Sequence, residues 1–198
     1  MTNPTNDSGY TLLEVLLVAG LIGVVSAIAI PMTANSMRGF RIDGDARSIS
    51  GMIALAKMRA ASAFSRTRVY VDLDANSYRL ETQKSHGVPW VAEGGTTRLS
   101  AGVAPWDDDE PFSAPPNAQD PIVQAPACLD ADDTPIENTA CVVFNSRGIP
   151  IDPVTGTPTG AGAVYVTDGI VVHGITVSAT GLTQVWQRFR SSETWVKQ

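Results

Sequence analysis

Residues 9–31 read GYTLLEVLLVAGLIGVVSAIAIP. The 21 residues from Tyr10 to Ile30 include one charged group, Glu14, near the start. A helix rises ~1.5 Å per residue, so this run would be roughly 31 Å long, which is about the hydrocarbon thickness of a bilayer. The sequence therefore predicts a membrane-spanning helix over residues 10–31.

Glu14 is the feature of this helix that a simple membrane anchor does not explain. A carboxylate inside a spanning helix costs roughly 2.5–3.5 kcal/mol at the helix centre, and such residues usually have a charged partner. If the chain is cut after Gly9, the new α-amino group of Tyr10 is a cation at the head of the helix. The amine of one subunit would then neutralise Glu14 of its neighbour.

A secretory signal peptide is the alternative interpretation of the same segment. Ala27-Ile28-Ala29 satisfies the small-residue cleavage rule, which would leave Ile30 at the mature N-terminus. However, residues 1–9 contain no Lys or Arg, whereas a signal peptide begins with a basic region. Glu14 also counts against this alternative, because a carboxylate is costly inside an apolar signal core.

The string from Gly9 to Pro31 resembles the class III signal of type IV pilins and type II secretion pseudopilins. The resemblance implies that a prepilin peptidase cuts between Gly9 and Tyr10 and that Tyr10 becomes N-methylated. It also implies that Glu14 guides assembly, and Pro31 matches the proline of the family's helix. Two features depart from the family pattern, since Tyr10 replaces the usual Phe and the leader 1–9 lacks basic residues.

The resemblance also implies partners and a location. The partners would be the prepilin peptidase, other pilins or pseudopilins of the same filament, and the inner-membrane assembly platform. The protein would cross the bacterial inner membrane once, with its globular domain in the periplasm, before it enters a pilus or pseudopilus. No cofactor is implied.

Length and charge set the limits for the rest of the chain. Of the 198 residues, those outside the apolar segment suffice for one domain with its own core. The net charge of −6 provides no overall basic surface for nucleic acid. The two cysteines, Cys128 and Cys141, form an even set in a chain that carries an export signal, which predicts one disulfide.

Residues 32–66 are predicted to continue the helix beyond the membrane as an amphipathic segment. Apolar residues recur there at spacings of three and four, which is the pattern of one buried helix face: Ile49, Ile53, Ala56, Ala60 and Phe64. The charged residues Arg47, Lys57, Arg59 and Arg66 lie off this stripe and are interpreted as a solvated face. The Ala-rich segment 50–63 resembles the GspH/FimT branch of pilin-like proteins, with Lys57 where that branch usually has Arg.

Residues 67–198 are predicted to form a β-rich globular domain. Alternating, β-branched and aromatic stretches bounded by turn residues predict strands at 67–73, 78–82, 88–91, 97–99, 141–144, 163–166, 170–178 and 183–189. One long helix followed only by strands predicts an α+β domain in which the helix lies across an antiparallel sheet. This is also the type IV pilin fold that the resemblance implies.

The segment 104–140 is predicted to be a long acidic, Pro-rich loop. It contains 9 acidic residues, no Lys or Arg, and 7 of the 13 prolines. Two acidic clusters suggest calcium, which needs six to eight oxygen ligands. They are residues 107–110 and the group Asp130, Asp132, Asp133 and Glu137; the second group begins as D-x-D but lacks the glycine and final Glu of an EF-hand loop. A solvated acidic loop is the preferred interpretation.

Catalysis and nucleic-acid binding find less support in the sequence. The two histidines, His86 and His173, have no nucleophile or carboxylate at a recognisable spacing, and the common catalytic motifs are absent. Some FimT-type proteins resemble this chain and bind DNA through a basic G-R-x-R turn, but here that turn reads Gly-Leu-Thr-Gln at 181–184. Arg188 and Arg190, beside Trp186 and Trp195, are the remaining candidates for contacts to nucleic acid.

Overall fold

The computed structural model describes residues 11–106, 115, 124–160, 162–192 and 194–198. The chain divides into two compact units, Met1–Gly39 and Phe40–Gln198. The helix α1 (Leu12–Ala63) provides residues to both units.

The first unit is helical from Leu12 onward. Its segment Leu12–Ile30 comprises 19 residues and is long and apolar enough to cross a membrane. None of this segment is buried inside the protein. A helix that is apolar on all sides and has no protein around it requires an apolar environment from elsewhere, such as lipid or other helices.

The second unit contains the rest of α1, which buries one face. The buried positions follow the helical repeat and extend the predicted stripe toward the N-terminus: Ile42, Ala46, Ile49, Ile53, Ala56 and Ala60. Small alanines on this face allow the backbone of α1 to approach the strands closely. The predicted stripe is therefore confirmed over residues 49–60.

Phe64 was expected on the buried stripe, and this expectation is wrong. The helix ends at Ala63, and Phe64 turns outward with φ +49°; its side chain is 82% exposed. The backbone N–H of Ser65 donates to the Ala60 carbonyl at 3.2 Å, which is the hydrogen bond of a Schellman C-cap. The cap places Phe64 at the left-handed position that usually holds glycine.

The variant Phe64→Gly is expected to stabilise the domain by about 1 kcal/mol, because a left-handed backbone costs roughly 1–2 kcal/mol for a residue with a Cβ. Phe64→Ala keeps the Cβ and is the matched control, for which we expect little gain. Urea unfolding followed by tryptophan fluorescence would measure both. Equal stability of the Gly and Ala variants would show that the cap conformation is not strained.

In the described part of the chain, twelve strands follow the helix. They are β1 (Arg66–Asp72), β2 (Ser77–Gln83), β3 (Val91–Arg98), β4 (Ala104–Pro105), β5 (Cys128–Leu129), β6 (Pro135–Ile136), β7 (Thr139–Phe144), β8 (Pro150–Ile151), β9 (Gly162–Thr167), β10 (Val171–Val177), β11 (Thr183–Phe189) and β12 (Val196–Lys197).

Most of the strands form two five-stranded antiparallel sheets rather than the single sheet expected. Sheet A has the order β3-β2-β1-β7-β8, and sheet B has the order β12-β11-β10-β9-β4. The buried face of α1 packs in one core with Val69, Leu80 and Val142 of sheet A and with Val164 and Ile175 of sheet B. The α+β class is confirmed, and one face of the helix packs against residues of both sheets.

The stretches 88–91 and 97–99 were expected as two short strands, but the structure has one strand there, β3, which begins at Val91 and ends at Arg98; residues 88–90 lie outside any strand. A register shift between Tyr78 and Leu80 of β2 interrupts the pairing with β3. Gly94 on β3 has φ +77°, a conformation that glycine adopts without a steric penalty. Gly94 therefore lies in a bulge within β3.

Polar contacts tie α1 to the strands and turns around it. Tyr78 Oη lies 2.6 Å from Ser48 Oγ, and the Asp45 carboxylate accepts a hydrogen bond from the Ser100 N–H at 2.8 Å. Lys57 Nζ donates to the Thr180 carbonyl at 2.9 Å in the β10–β11 turn. Lys57 is therefore not a purely solvated charge, because it fixes the helix to sheet B.

Candidate functional site

Glu14 lies in the first turn of α1. Its backbone N–H donates to the Thr11 carbonyl at 3.1 Å and approaches Thr11 Oγ1 at 3.3 Å, so Thr11 acts as the N-cap. An acidic side chain in the first helical turn is favoured by the helix dipole. The Glu14 side chain is exposed, and within the described part of the chain no ion pair involves it.

The helix beyond Glu14 presents large apolar side chains on every side. All of the following are about half exposed or more: Leu12, Leu13, Val15, Leu16, Leu17, Val18, Leu21, Ile22, Val24, Val25, Ile28 and Ile30. Pro31 lies within α1. Gly9 and Tyr10, the expected processing site, lie outside the described residues.

Arg188 and Arg190, the candidate nucleic-acid contacts, lie against tryptophans. The Arg188 guanidinium is 5.3 Å from the centre of the Trp195 ring, and that of Arg190 is 5.1 Å from the Trp106 ring. Both rings are buried, in a cluster with Trp186 on the outer side of sheet B. Cation–π contacts of this kind hold a side chain in place, so both arginines help to fasten the C-terminal segment and the start of the acidic loop to sheet B.

The acidic loop 104–140 contains more regular structure than expected. It includes β4, β5, β6 and the start of β7. Two of its backbone groups donate to β9: Trp106 N–H to the Tyr165 carbonyl at 2.9 Å, and Ala125 N–H to the Ala163 carbonyl at 2.7 Å. Trp106 and Ala125, which are distant from each other within the loop, are therefore both hydrogen-bonded to the same strand, β9. The acidic cluster 107–110 lies outside the described residues.

The calcium candidates take part in a turn. One oxygen of Asp130 accepts hydrogen bonds from the N–H groups of Asp132 and Thr134, at 2.9 and 2.8 Å. Asp133 lies 3.3 Å from His86 Nε2. In the portion of the chain that the structure describes, no group of three or more His, Cys, Asp or Glu residues is placed to hold a metal ion.

Cys128 and Cys141 form a disulfide with Cα atoms 5.0 Å apart, as the even cysteine count suggested. It joins the β5–β6 hairpin to β7. The Cys128 N–H donates to Thr139 Oγ1 at 2.9 Å, and Arg68 Nη1 donates to the Leu129 carbonyl. These bonds hold the hairpin over the outer face of sheet A.

A buried ion-pair network lies under this hairpin, and sequence reasoning missed it. Glu81 bonds Arg68 at 2.6 Å and Arg79 at 2.7 Å, while the Arg68 and Glu81 side chains are only 3% and 6% exposed. Burial lowers the pKa of Arg68, and the Glu81 carboxylate opposes that shift. The guanidiniums of Arg68 and Arg79 also lie over the Tyr70 ring, at 5.4 and 3.9 Å.

His173 on β10 is a buried titratable group that faces α1. Its side chain is 1% exposed, and its Nε2 lies 3.1 Å from Asp43 Oδ1. Burial lowers the pKa of His173; Asp43 and Asp168 raise it, and Arg47 lowers it further. The net shift is downward, so the folded state favours the neutral imidazole.

Acidification is therefore expected to destabilise the domain through His173. The unfolded chain binds the proton near pH 6.5 while the folded domain resists it, so this contribution is present above pH 6.5 and is lost as the pH falls below it. Melting temperatures measured between pH 7.5 and 5 should fall less steeply for His173→Gln than for wild type. An unchanged slope in His173→Gln would contradict the assignment.

The apolar N-terminal part of α1 and its later part, which packs on antiparallel sheets, are consistent with the α+β type IV pilin fold. The chain is 28% identical over 175 residues to the pilin-like protein PilA1 of Thermus thermophilus, a match that covers 87% of this chain and 94% of that protein. No family model and no solved structure matches the chain. The similarity supports a type IV pilin-like role, and the GspH/FimT branch stays a prediction.

Proposed function

We propose that this chain is a minor pilin or pseudopilin, a subunit that assembles through its N-terminal helix into a type IV pilus or a type II secretion pseudopilus. The observation that carries the proposal is the segment Leu12–Ile30, which is wholly unburied and apolar apart from Glu14. The folded unit Phe40–Gln198 has its own core. The similarity to a pilin-like protein supports a structural rather than an enzymatic role.

The proposed route begins at the bacterial inner membrane with the globular domain in the periplasm. Prepilin peptidase removes the leader 1–9 by cutting between Gly9 and Tyr10, and Tyr10 is then N-methylated. The assembly platform transfers the subunit into the filament, where the helix packs against those of other subunits. Glu14 of one subunit then pairs with the α-amino group of Tyr10 on the next, which removes an unpaired charge from the apolar bundle.

Nucleic-acid binding is the weaker alternative. It would use Arg188 and Arg190, but their guanidiniums already lie against Trp195 and Trp106. A surface with two arginines in a chain of net charge −6 would bind weakly and with strong salt dependence. We therefore do not propose it as the function.

The processing step is tested with Gly9→Val. Because the Val side chain at the cut site is expected to block the peptidase, the variant should stay in the membrane at its full-length mass and should not enter filaments. Gly20→Val, at a position in the helix where an added Cβ meets no other atom within 4 Å, is the control that should be cut normally. Normal cutting of Gly9→Val would contradict the proposed site.

A further inference from the structure

Two large apolar side chains are exposed beside each other at one edge of sheet B. Ile170 lies in the turn between β9 and β10, and Phe189 ends β11; each side chain is 55% exposed. They are neighbours because Phe189 pairs with Val171, and the Arg190 N–H donates to the Ile170 carbonyl at 2.8 Å. Adjacent exposed apolar side chains favour a contact that removes them from water.

This pair lies at the end of the globular domain where the chain enters it. His173 Nε2 on β10 lies 3.1 Å from Asp43 Oδ1 on α1. Further along both elements, Lys57 Nζ on α1 donates to the Thr180 carbonyl, beyond the end of β10. β10 therefore runs in the same direction as α1, and the turn before β10 lies near the first residues of the domain. Phe40, the first of them, is 76% exposed.

We call Phe40, Ile170 and Phe189 the entry patch, and the chain itself tethers this patch to the candidate membrane span. Nine residues separate Phe40 from Ile30, the last residue of that span. A chain extends at most ~3.5 Å per residue, so the tether keeps Phe40 within roughly 35 Å of the end of the span. The tether includes Pro31, and a proline inside a helix removes one backbone hydrogen bond and permits a bend.

A lipid surface is the partner that the tether holds within reach of the entry patch. Tethering raises the effective concentration of one binding surface at the other, so a contact of a few side chains becomes significant. Apolar side chains of this kind bury themselves at the boundary between headgroups and acyl chains. Arg41 follows Phe40, and the Asp168 carboxylate accepts a hydrogen bond from the Ile170 N–H at 2.9 Å. Charges of both signs therefore border the patch, and apolar burial rather than headgroup charge would decide the contact.

We propose that the entry patch docks on the surface of the membrane that holds the apolar helix. Phe40, Ile170 and Phe189 insert among the lipid headgroups and hold the globular domain on the membrane before the subunit enters a filament. The inference rests on the membrane span of the proposed function and adds a second membrane contact, made by the domain. Entry into a filament would then require the release of this contact.

The test uses the full chain in nanodiscs of zwitterionic lipid, with ¹³C-labelled Ile and Leu methyl groups. Some of the lipids carry a nitroxide at the headgroup, which broadens the NMR signals of nearby methyl groups. The Ile170 signal should broaden several-fold more than that of Leu182, which is similarly exposed, at 57%, but lies in the turn at the opposite end of β10. This comparison needs no variant, and equal broadening of the two signals would overturn the proposal.

A double variant separates docking from the proximity that the tether alone provides. Phe40→Ser combined with Phe189→Ser removes two apolar groups of the patch and keeps the tether, so the broadening of Ile170 should fall to that of Leu182. Val154→Ser combined with Val196→Ser is the matched control, because these side chains are 74% and 58% exposed and lie outside the patch. It should keep the wild-type broadening. Unchanged broadening in the patch variant would overturn the proposal.

Methyl groups of the segment Leu12–Ile30 report separately on the membrane span. A nitroxide in the acyl chains should broaden them, and its failure to do so would overturn the span and the docking together. If they broaden while Ile170 behaves as Leu182 does, only the docking is overturned. Protection of Ile170 from a soluble paramagnetic agent, without broadening by the lipid nitroxide, would show that a second copy of the chain covers the patch and would also overturn lipid docking.

Discussion

Glu14→Ala is expected to remove the protein from filaments while leaving it in the membrane. In the proposed filament, the alanine would leave the α-amino group of a neighbouring subunit as an uncompensated charge inside the helix bundle. Such a charge costs roughly 2.5–3.5 kcal/mol, which corresponds to on the order of a hundredfold in the assembly equilibrium. Quantifying the protein in sheared filaments and in the membrane fraction would measure the effect.

The membrane fraction separates an assembly defect from an insertion defect. Removing a carboxylate makes the segment Leu12–Ile30 more apolar, so Glu14→Ala should insert at least as well as wild type. Glu14→Asp retains the charge on a shorter side chain and should assemble better than the alanine variant. Wild-type levels of Glu14→Ala in filaments would contradict the proposed charge pair.

Glu81→Ala is expected to destabilise the globular domain by roughly 3–5 kcal/mol, because it leaves Arg68 buried without its carboxylate. Glu93→Ala is the matched control. It breaks the Arg59–Glu93 pair, in which the side chains are 47% and 28% exposed, and exposed pairs contribute little to stability. Urea unfolding would report both variants through the four tryptophans, which all lie in the unit Phe40–Gln198.

Replacing both partners distinguishes a buried charge from lost packing. Arg68→Met combined with Glu81→Leu removes the two charges and keeps most of the side-chain volume, so it should be less destabilising than Glu81→Ala alone. If Glu81→Ala costs no more than Glu93→Ala, the pair is not buried in solution as the structure shows it.

Local periodicity predicted the elements that depend on local chemistry. The spacing of Ile49, Ile53, Ala56 and Ala60 placed these residues correctly on the buried face of α1. The same spacing misplaced Phe64, because periodicity does not show where the hydrogen-bonded turns stop. The cap that ends the helix depends on the left-handed backbone conformation of Phe64. A glycine at this position would have indicated the helix end in the sequence, but the chain has Phe.

Features that depend on contacts between residues distant in the chain could not be predicted from the sequence. Arg68 and Glu81 are opposite each other only in the particular register of β1 and β2. Likewise, the strands divide into two sheets because β7 pairs with β1 and β8 and not with a strand of sheet B. The charges at alternate positions of two neighbouring strands were the available signal for the network. The tryptophan contacts of Arg188 and Arg190 join residues whose approach depends on the tertiary fold, so spacing could not show them.

The mass of the mature N-terminus would show whether the chain is a processed filament subunit, as we propose. The protein would be recovered from sheared filaments and analysed intact by mass spectrometry. We expect a chain that begins at Tyr10 and carries one added methyl group on its α-amine. A chain that begins at Ile30, or a protein that keeps residues 1–9 and is absent from filaments, would contradict it.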